Sequence, residues 1–184
     1  MSVALPHLST RRLLLMPLQT EQAQTSARLA DKPTIADNTA ALPSPHTVEN
    51  ALEFIGGQEE QYRSTRLMGL GIHLRENREL VGVISLRFSP AHDSAHLGYW
   101  VGAQHRNRGY AGEAVGAMLK HGFVELKLHR IAGQCFRRNK TSARVLDRAG
   151  PRHQGCLKGA FLKNRVYEDM LLYGLLHDHW QPLT

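Results

Sequence analysis

The stretch Arg106-Asn107-Arg108-Gly109-Tyr110-Ala111-Gly112-Glu113-Ala114 constrains this chain more than any other. It is basic, carries two glycines and leads into apolar residues at Ala111, Ala114, Val115, Met118, Gly122 and Leu126. That spacing is one helix face over about four turns. Just upstream, Leu97-Gly98-Tyr99-Trp100-Val101 reads as a buried strand. A strand, a tight basic turn and a helix N-terminus together make an anion site. The free N–H groups of the first helical turn point at the ligand, and the helix dipole adds about half a positive charge there. Glycine lets the backbone approach a phosphate with no Cβ in the way. The pattern therefore offers a place to hold a pyrophosphate.

The rest of the chain reads as elements that can pack around this unit. Residues 12–18 form a first strand. Thr20 caps a helix through Leu29, and residues 31–45, with Pro33, Pro43 and Pro45, form a loop. Thr47 caps a helix to about Arg63 with Val48, Leu52 and Ile55 on its apolar face. Residues 68–74 and 80–88 are strands joined by the polar turn Glu76-Asn77-Arg78-Glu79, a hairpin. Residues 95–101 and 129–135 are further strands. Residues 140–149 are a short helix that stops at Gly150-Pro151, a C-cap followed by a breaker. Residues 169–176 form the last strand. Helices packed on a mixed sheet give an α+β sandwich.

Composition narrows the ligand. The length of 184 residues suits one domain, here residues 1–184, with a full core. No apolar run reaches the ~18 residues of a membrane span, and Pro17 cuts short Leu13-Leu14-Leu15-Met16. A cytoplasmic protein with no membrane partner is expected. Cys135 and Cys156 lack metal-ligand spacing and secretory context, so reduced thiols and no metal are expected. His92 with His96, and His177-Asp178-His179, are read as a pair spanning a turn into a strand and as a polar tail rather than as ligands. The net charge of +7 suits a polyanion, an acidic protein surface or nucleic acid. Arg106, Arg108, Arg137, Arg138, Lys140, Arg144, Arg148 and Arg152 crowd into one third of the chain. Single-strand binders interleave aromatics with such charges. After Arg137-Arg138-Asn139-Lys140 no aromatic follows until Phe161, which speaks against nucleic acid.

Arg106-x-x-Gly109-x-Ala111 resembles the Q/R-x-x-G-x-G/A signature of the GCN5-related N-acetyltransferases (GNAT). The longer run resembles the Y-R-G-R-G-Y-A-T-E-A of their RimJ/RimL-like ribosomal-protein branch. Leu8-Ser9-Thr10 and the first strand are similar to that branch's L-x-T-E-R-L-x-L-R-P-L opening, with Arg11 and Met16 as departures. Arg130-Ile131-x-Gly133-x-Cys135-x-x-x-Asn139-x-x-Ser142-Ala143-Arg144-Val145-Leu146 resembles the family's R-I-x-A-x-V-x-x-x-N-x-x-S-x-R-V-L. The resemblance spans nearly the whole chain. It implies the acyl-CoA N-acyltransferase fold, α+β, with a mixed, mostly antiparallel central sheet and helices on both faces. It also implies acetyl-CoA as co-substrate.

Carried onto this chain, the resemblance makes Arg106, Asn107, Arg108, Gly109, Tyr110, Ala111, Gly112 and Glu113 the CoA grip, mostly through backbone N–H groups. It lays the pantetheine along Tyr99, Trp100 and Val101, where the family strand splays and a free N–H polarises the thioester carbonyl. It gives Ser142 the role of protonating or hydrogen-bonding the CoA thiolate and Asn139 that of ordering the CoA arm. By spacing alone, Asn139 is a helix cap and Ser142 lies one turn on, near a helix N-terminus that favours an anion. His96 stands where the family often has a glutamate base, and a histidine of pKa ~6.5 can accept a proton directly or through water.

The expected activity is acetyl transfer to a primary amine by direct attack, since neither cysteine sits beside a plausible base. An α-amine (pKa ~7.8) is easier to obtain neutral than a lysine (~10.4) by ~3.5 kcal/mol. Without a strong carboxylate base, a protein N-terminus of ribosomal-protein type is the expected acceptor. A small-molecule amine (polyamine, amino acid or antibiotic) is the alternative, and a non-catalytic acyl-CoA sensor is a third reading. Oligomeric state, a homodimer included, stays open, because no coiled-coil pattern is legible. Two further departures bear on the site: Asn107 replaces a usual glycine, and Pro151 replaces a phenylalanine.

Overall fold

A computed structural model describes residues 4–40, 42–43 and 45–182. The elements run β1 Leu8–Ser9, β2 Leu13–Met16, α1 Ala23–Ala30, α2 Pro33–Ala36, α3 Val48–Arg63, β3 Leu67–Leu74, β4 Leu80–Ser89 and β5 Ser94–Val101. They continue with α4 Tyr110–Lys120, β6 Arg130–Phe136, α5 Lys140–Ala149, β7 Arg152–Lys163 and β8 Val166–Leu176. The strands form one sheet of order β1-β2-β3-β4-β5-β6-β8-β7, in which β5 and β6 are the parallel neighbours and the other pairs are antiparallel. This is the expected α+β sandwich. Among the described residues no helix is long and apolar enough to cross a membrane.

Two apolar layers hold it together. On one face, Ile84, Leu86, Leu97 and Val101 pack with Val115, Met118 and Phe123 from the α4 segment and Leu146 of α5. On the other, Val83 and Trp100 pack with Ala27, Leu29 and Ala30 of α1 and Ile55 of α3. Strand alternation explains the division: Leu97 and Val101 point one way, Trp100 the other.

Local signals set several boundaries. Thr47 accepts from the Asn50 N–H at the start of α3. Asn139 does the same for Ser142 at the start of α5, and Gly150 ends that helix with a left-handed φ of 115°.

Four expectations need correcting. The inner face of α3 is Ala51, Ile55, Gln58 and Tyr62, while Val48 and Leu52 are exposed. Gln58 is buried because its side chain pairs with both the N–H and the C=O of Leu18. Thr20 does not cap α1; it opens a one-turn 3-10 segment capped by Gln19, whose N–H donates to Gln22. Residues 33–36 of the expected loop coil into α2, with Pro33 supplying the preset φ of a first helical position; Ala41 and Ser44 of that loop lie outside the described residues. The α4 stripe is not a single α-helix to Leu126, since His121–Glu125 is a π-type turn. Pro151 is buried and β7 still forms after it, with irregular register against β8.

Candidate active site

The parallel pair β5–β6 is hydrogen-bonded only from Ser94 to Leu97, against Arg130 to Gly133. Beyond that point the strands part. Gly98 to Val101 stay paired to β4, and Gln134 to Phe136 stay paired to β8. Strand geometry then leaves backbone groups of Gly98–Val101 facing the gap. A cavity of about 920 Å³ opens there, walled by both splayed strands, the turn before α4 and the exposed face of α5.

The turn is built for close approach. Asn107 and Gly109 both take left-handed backbone, φ 60° and 79°, so an asparagine replaces glycine without leaving a conformation asparagine tolerates. The first intrahelical bond of α4 runs from Glu113 N to Gly109 O, which leaves the N–H groups of Tyr110, Ala111 and Gly112 without a helical acceptor. The turn is fastened from the first strand. Glu113 Oε1 accepts from the Thr10 hydroxyl (2.6 Å) and the Arg12 N–H (2.8 Å), and Oε2 accepts from Arg12 Nε (2.7 Å). Arg12 Nη1 also donates to the Arg108 carbonyl at 2.8 Å, and its guanidinium lies over the Tyr110 ring. Burial opposes the charge on Glu113, but these donors outweigh it and hold the carboxyl below its ordinary range. Glu113 therefore holds the turn; its carboxylate is engaged by Thr10 and Arg12.

Ser142 and Tyr99 meet across the gap. The Tyr99 hydroxyl is 2.8 Å from Ser142 Oγ and donates to the Ser142 carbonyl at 3.2 Å. Burial raises the Tyr99 phenol well above its usual value, against the opposing bond to Ser142, so it stays protonated. Cys135 lies beside them, and burial pushes its thiol up to about 11, which leaves it a poor nucleophile.

His96 lines the cavity on β5 opposite Arg87 of β4. Burial, and then the Arg87 charge, lower its pKa, so the ring is neutral at pH 7. Trp100 belongs to the cavity wall, but its indole is buried in the α1/α3 layer. Asn139 is held at both ends of its amide, by the cap bond to Ser142 and by a bond to the Asn38 carbonyl. The Arg106 guanidinium donates to the Thr34 carbonyl (2.6 Å). All the residues singled out from the sequence except Arg108 line this one cavity.

Of the basic cluster, Arg144 and Arg148 also line it, a turn apart on the exposed face of α5. Arg137 and Arg138 instead pair with Asp169 and Glu168. Sequence reading missed Arg87, Gln134 and the segment Asn38, Thr39 and Ala40, which complete the wall. Only the cross-strand register could have revealed Arg87.

Known proteins resemble this chain in sequence and in fold. An uncharacterised N-acetyltransferase of Bacillus subtilis (strain 168), YoaA, is 26% identical over 172 residues, 93% of this chain and 97% of that protein. The ribosomal-protein-serine acetyltransferase of Escherichia coli (strain K12) is 36% identical over 101 residues, 54% of this chain and 56% of that protein. Among solved structures, Mycobacterium smegmatis RimJ in complex with CoA-disulfide superposes with a TM-score of 0.81 at 25% identity, covering 94% of this chain and 87% of that one. The acetyltransferase (GNAT) domain matches residues 12–152, from the arginine that fastens the turn to the start of β7. With the parted strands and the glycine turn already in place, that match settles the family: this chain belongs to the GNAT acetyltransferases, and it is an N-acetyltransferase.

Proposed function

We propose that this N-acetyltransferase moves the acetyl group of acetyl-CoA onto the α-amine of a protein N-terminus by direct attack. The observation that carries the reading is the Tyr99–Ser142 pair, set at an α-helix N-terminus on the rim of the parted strands. The N–H groups at the start of α4 would receive the pyrophosphate. Arg144 and Arg148 would face the further phosphate of CoA, and the outward backbone of Gly98–Val101 would run beside the pantetheine.

The chemistry then needs few groups. A backbone N–H of the parted strand stabilises the oxyanion as the amine nitrogen bonds to the thioester carbon. Collapse breaks the C–S bond, and the thiolate takes its proton from Ser142, backed by Tyr99. The amine proton passes to neutral His96, directly or through water. The wall has no free carboxylate base among the described residues, because Glu113 is engaged with Arg12. That favours a low-pKa α-amine over lysine, and one relative is named a ribosomal-protein-serine acetyltransferase. The test is kcat/KM, by thiol release, for one peptide carrying either a free α-amine or a single ε-amine. A lysine preference refutes the N-terminal reading.

A further inference from the structure

Beside His96 the cavity wall carries a guanidinium that makes no contact in the transfer chemistry. Arg87 is exposed, lies directly across from His96 in the β4–β5 register and lines the cavity. Among the described residues its guanidinium makes no hydrogen bond and no ion pair. Of the other arginines around the cleft, Arg12 is engaged with Glu113, Arg106 with the Thr34 carbonyl and Arg138 with Glu168, while Arg144 and Arg148 lie on α5, where the CoA phosphate is proposed to sit. The cavity wall holds one carboxylate among the described residues, Glu113, and that group is taken. Nothing in the wall neutralises Arg87. Ser85, two residues earlier on the same strand face, lines the cavity beside it. A guanidinium in a half-enclosed site holds a carboxylate through two parallel N–H···O bonds, in surroundings less polar than bulk water.

We infer that the acceptor carries a carboxylate near its amine and that Arg87 binds it, so that the substrate is an N-terminal segment with Asp or Glu at its second or third position. Spacing sets the position. Arg87 and His96 are directly opposed on β4 and β5, so their side chains share one face of the sheet with Cβ atoms about 5 Å apart. An acceptor amine that gives its proton to His96, directly or through one water, lies within a residue or two of Arg87, and an extended acceptor at ~3.3 Å per residue brings its second or third side chain level with it. A polyamine would meet Arg87 and Arg106 with no free carboxylate to receive it. The inference rests on the N-terminal reading for the kind of amine, and on Arg87 for the anion.

The test is a set of four peptides of equal length, with a free α-amine or a single ε-amine, each with Glu or Gln at the two positions next to it. Wild type, Arg87→Lys, Arg87→Met and Arg87→Glu are assayed by thiol release. Binding of the acetylated peptides to the CoA-loaded proteins is followed by calorimetry. In wild type, kcat/KM is about tenfold higher for the Glu peptide than for the Gln peptide, the size of one charge-assisted contact. Arg87→Lys keeps most of that ratio, Arg87→Met abolishes it, and Arg87→Glu inverts it in favour of the Gln peptide, with KM for acetyl-CoA unchanged. Equal use of Glu and Gln peptides by wild type, or a ratio that survives Arg87→Glu, overturns the inference. An ε-amine preference that keeps the Glu ratio removes the N-terminal reading and leaves this one standing. If no peptide turns over, the binding ratio decides alone: equal affinity for Glu and Gln products overturns it.

Discussion

Tyr99→Phe removes one hydroxyl and leaves the ring in its packing. The lost oxygen contacts Ser142 at 2.8 Å through Oγ and 3.2 Å through the carbonyl. A net hydrogen bond is worth about 1 kcal/mol to folding, and half-buried Ser142 can turn to water, so Tm should fall by only about 2–4 °C. Catalysis should suffer far more. If Tyr99 and Ser142 together deliver the thiolate's proton, the variant loses general-acid assistance worth at least about 10²-fold, or ~2.7 kcal/mol of barrier. Thiol release at saturating acetyl-CoA reads kcat, and its KM should move less than about threefold, since the turn before α4 is untouched. Ser142→Ala and the double variant complete a cycle. Groups that act as one unit are not additive, so the double variant should be no slower than the slower single variant. A Tyr99→Phe kcat within threefold of wild type, or losses that multiply in full, would refute the shared role.

Arg12→Met should free the turn before α4 and raise KM for acetyl-CoA about 5–10-fold with kcat changed less, in a steady-state titration; because Arg12 is partly exposed, the stability loss should stay near 1 kcal/mol. Burial lowers the pKa of His46, His73, His96 and His121 from the ordinary 6.5. Below pH 6.5 the unfolded chain takes up protons that the folded chain resists, so urea melts should show stability falling with pH until the lowered folded values are passed. For the same reason the acid limb of kcat/KM should lie below pH 6.5, and His96→Gln should flatten it. Asn139→Ala should cost about 1 kcal/mol through the lost α5 cap, read as a Tm shift, and should slow turnover by letting Ser142 drift.

What the sequence disclosed is what neighbouring residues decide. Helix α5 is legible to the residue because Asn139 caps it and Gly150 stops it, both within the segment. The glycine turn is legible because Asn107 and Gly109 announce a left-handed backbone. The face of α3 was misread because burial there follows a distant partner: Gln58 is inside to satisfy Leu18, 40 residues away. The same holds for the site. Glu113 reads as an acid at a helix start, and its engagement with Arg12, 101 residues earlier, is invisible in one dimension. Tyr99 reads as strand core, and its bond to Ser142 depends on how far β5 and β6 part. Arg87 depends on a register between strands, which no local motif encodes.

The segment that follows α1 is tied down over the cleft in an uneven way. Arg106 donates to the Thr34 carbonyl, Arg138 to that of Asp37, Asn139 to that of Asn38, and Lys163 to those of Thr39 and Leu42. The body of the enzyme supplies side chains, and the segment answers mostly with main-chain oxygens, which every amino acid brings alike. Two positions are exceptions: the Asn38 side-chain oxygen accepts from Arg138, and the Asp37 carboxylate accepts from Asn164. Substitutions at Thr34, Thr39 and Leu42 therefore leave the carbonyl attachments in place, while changes at positions 37 and 38 loosen the strap as well as redraw it.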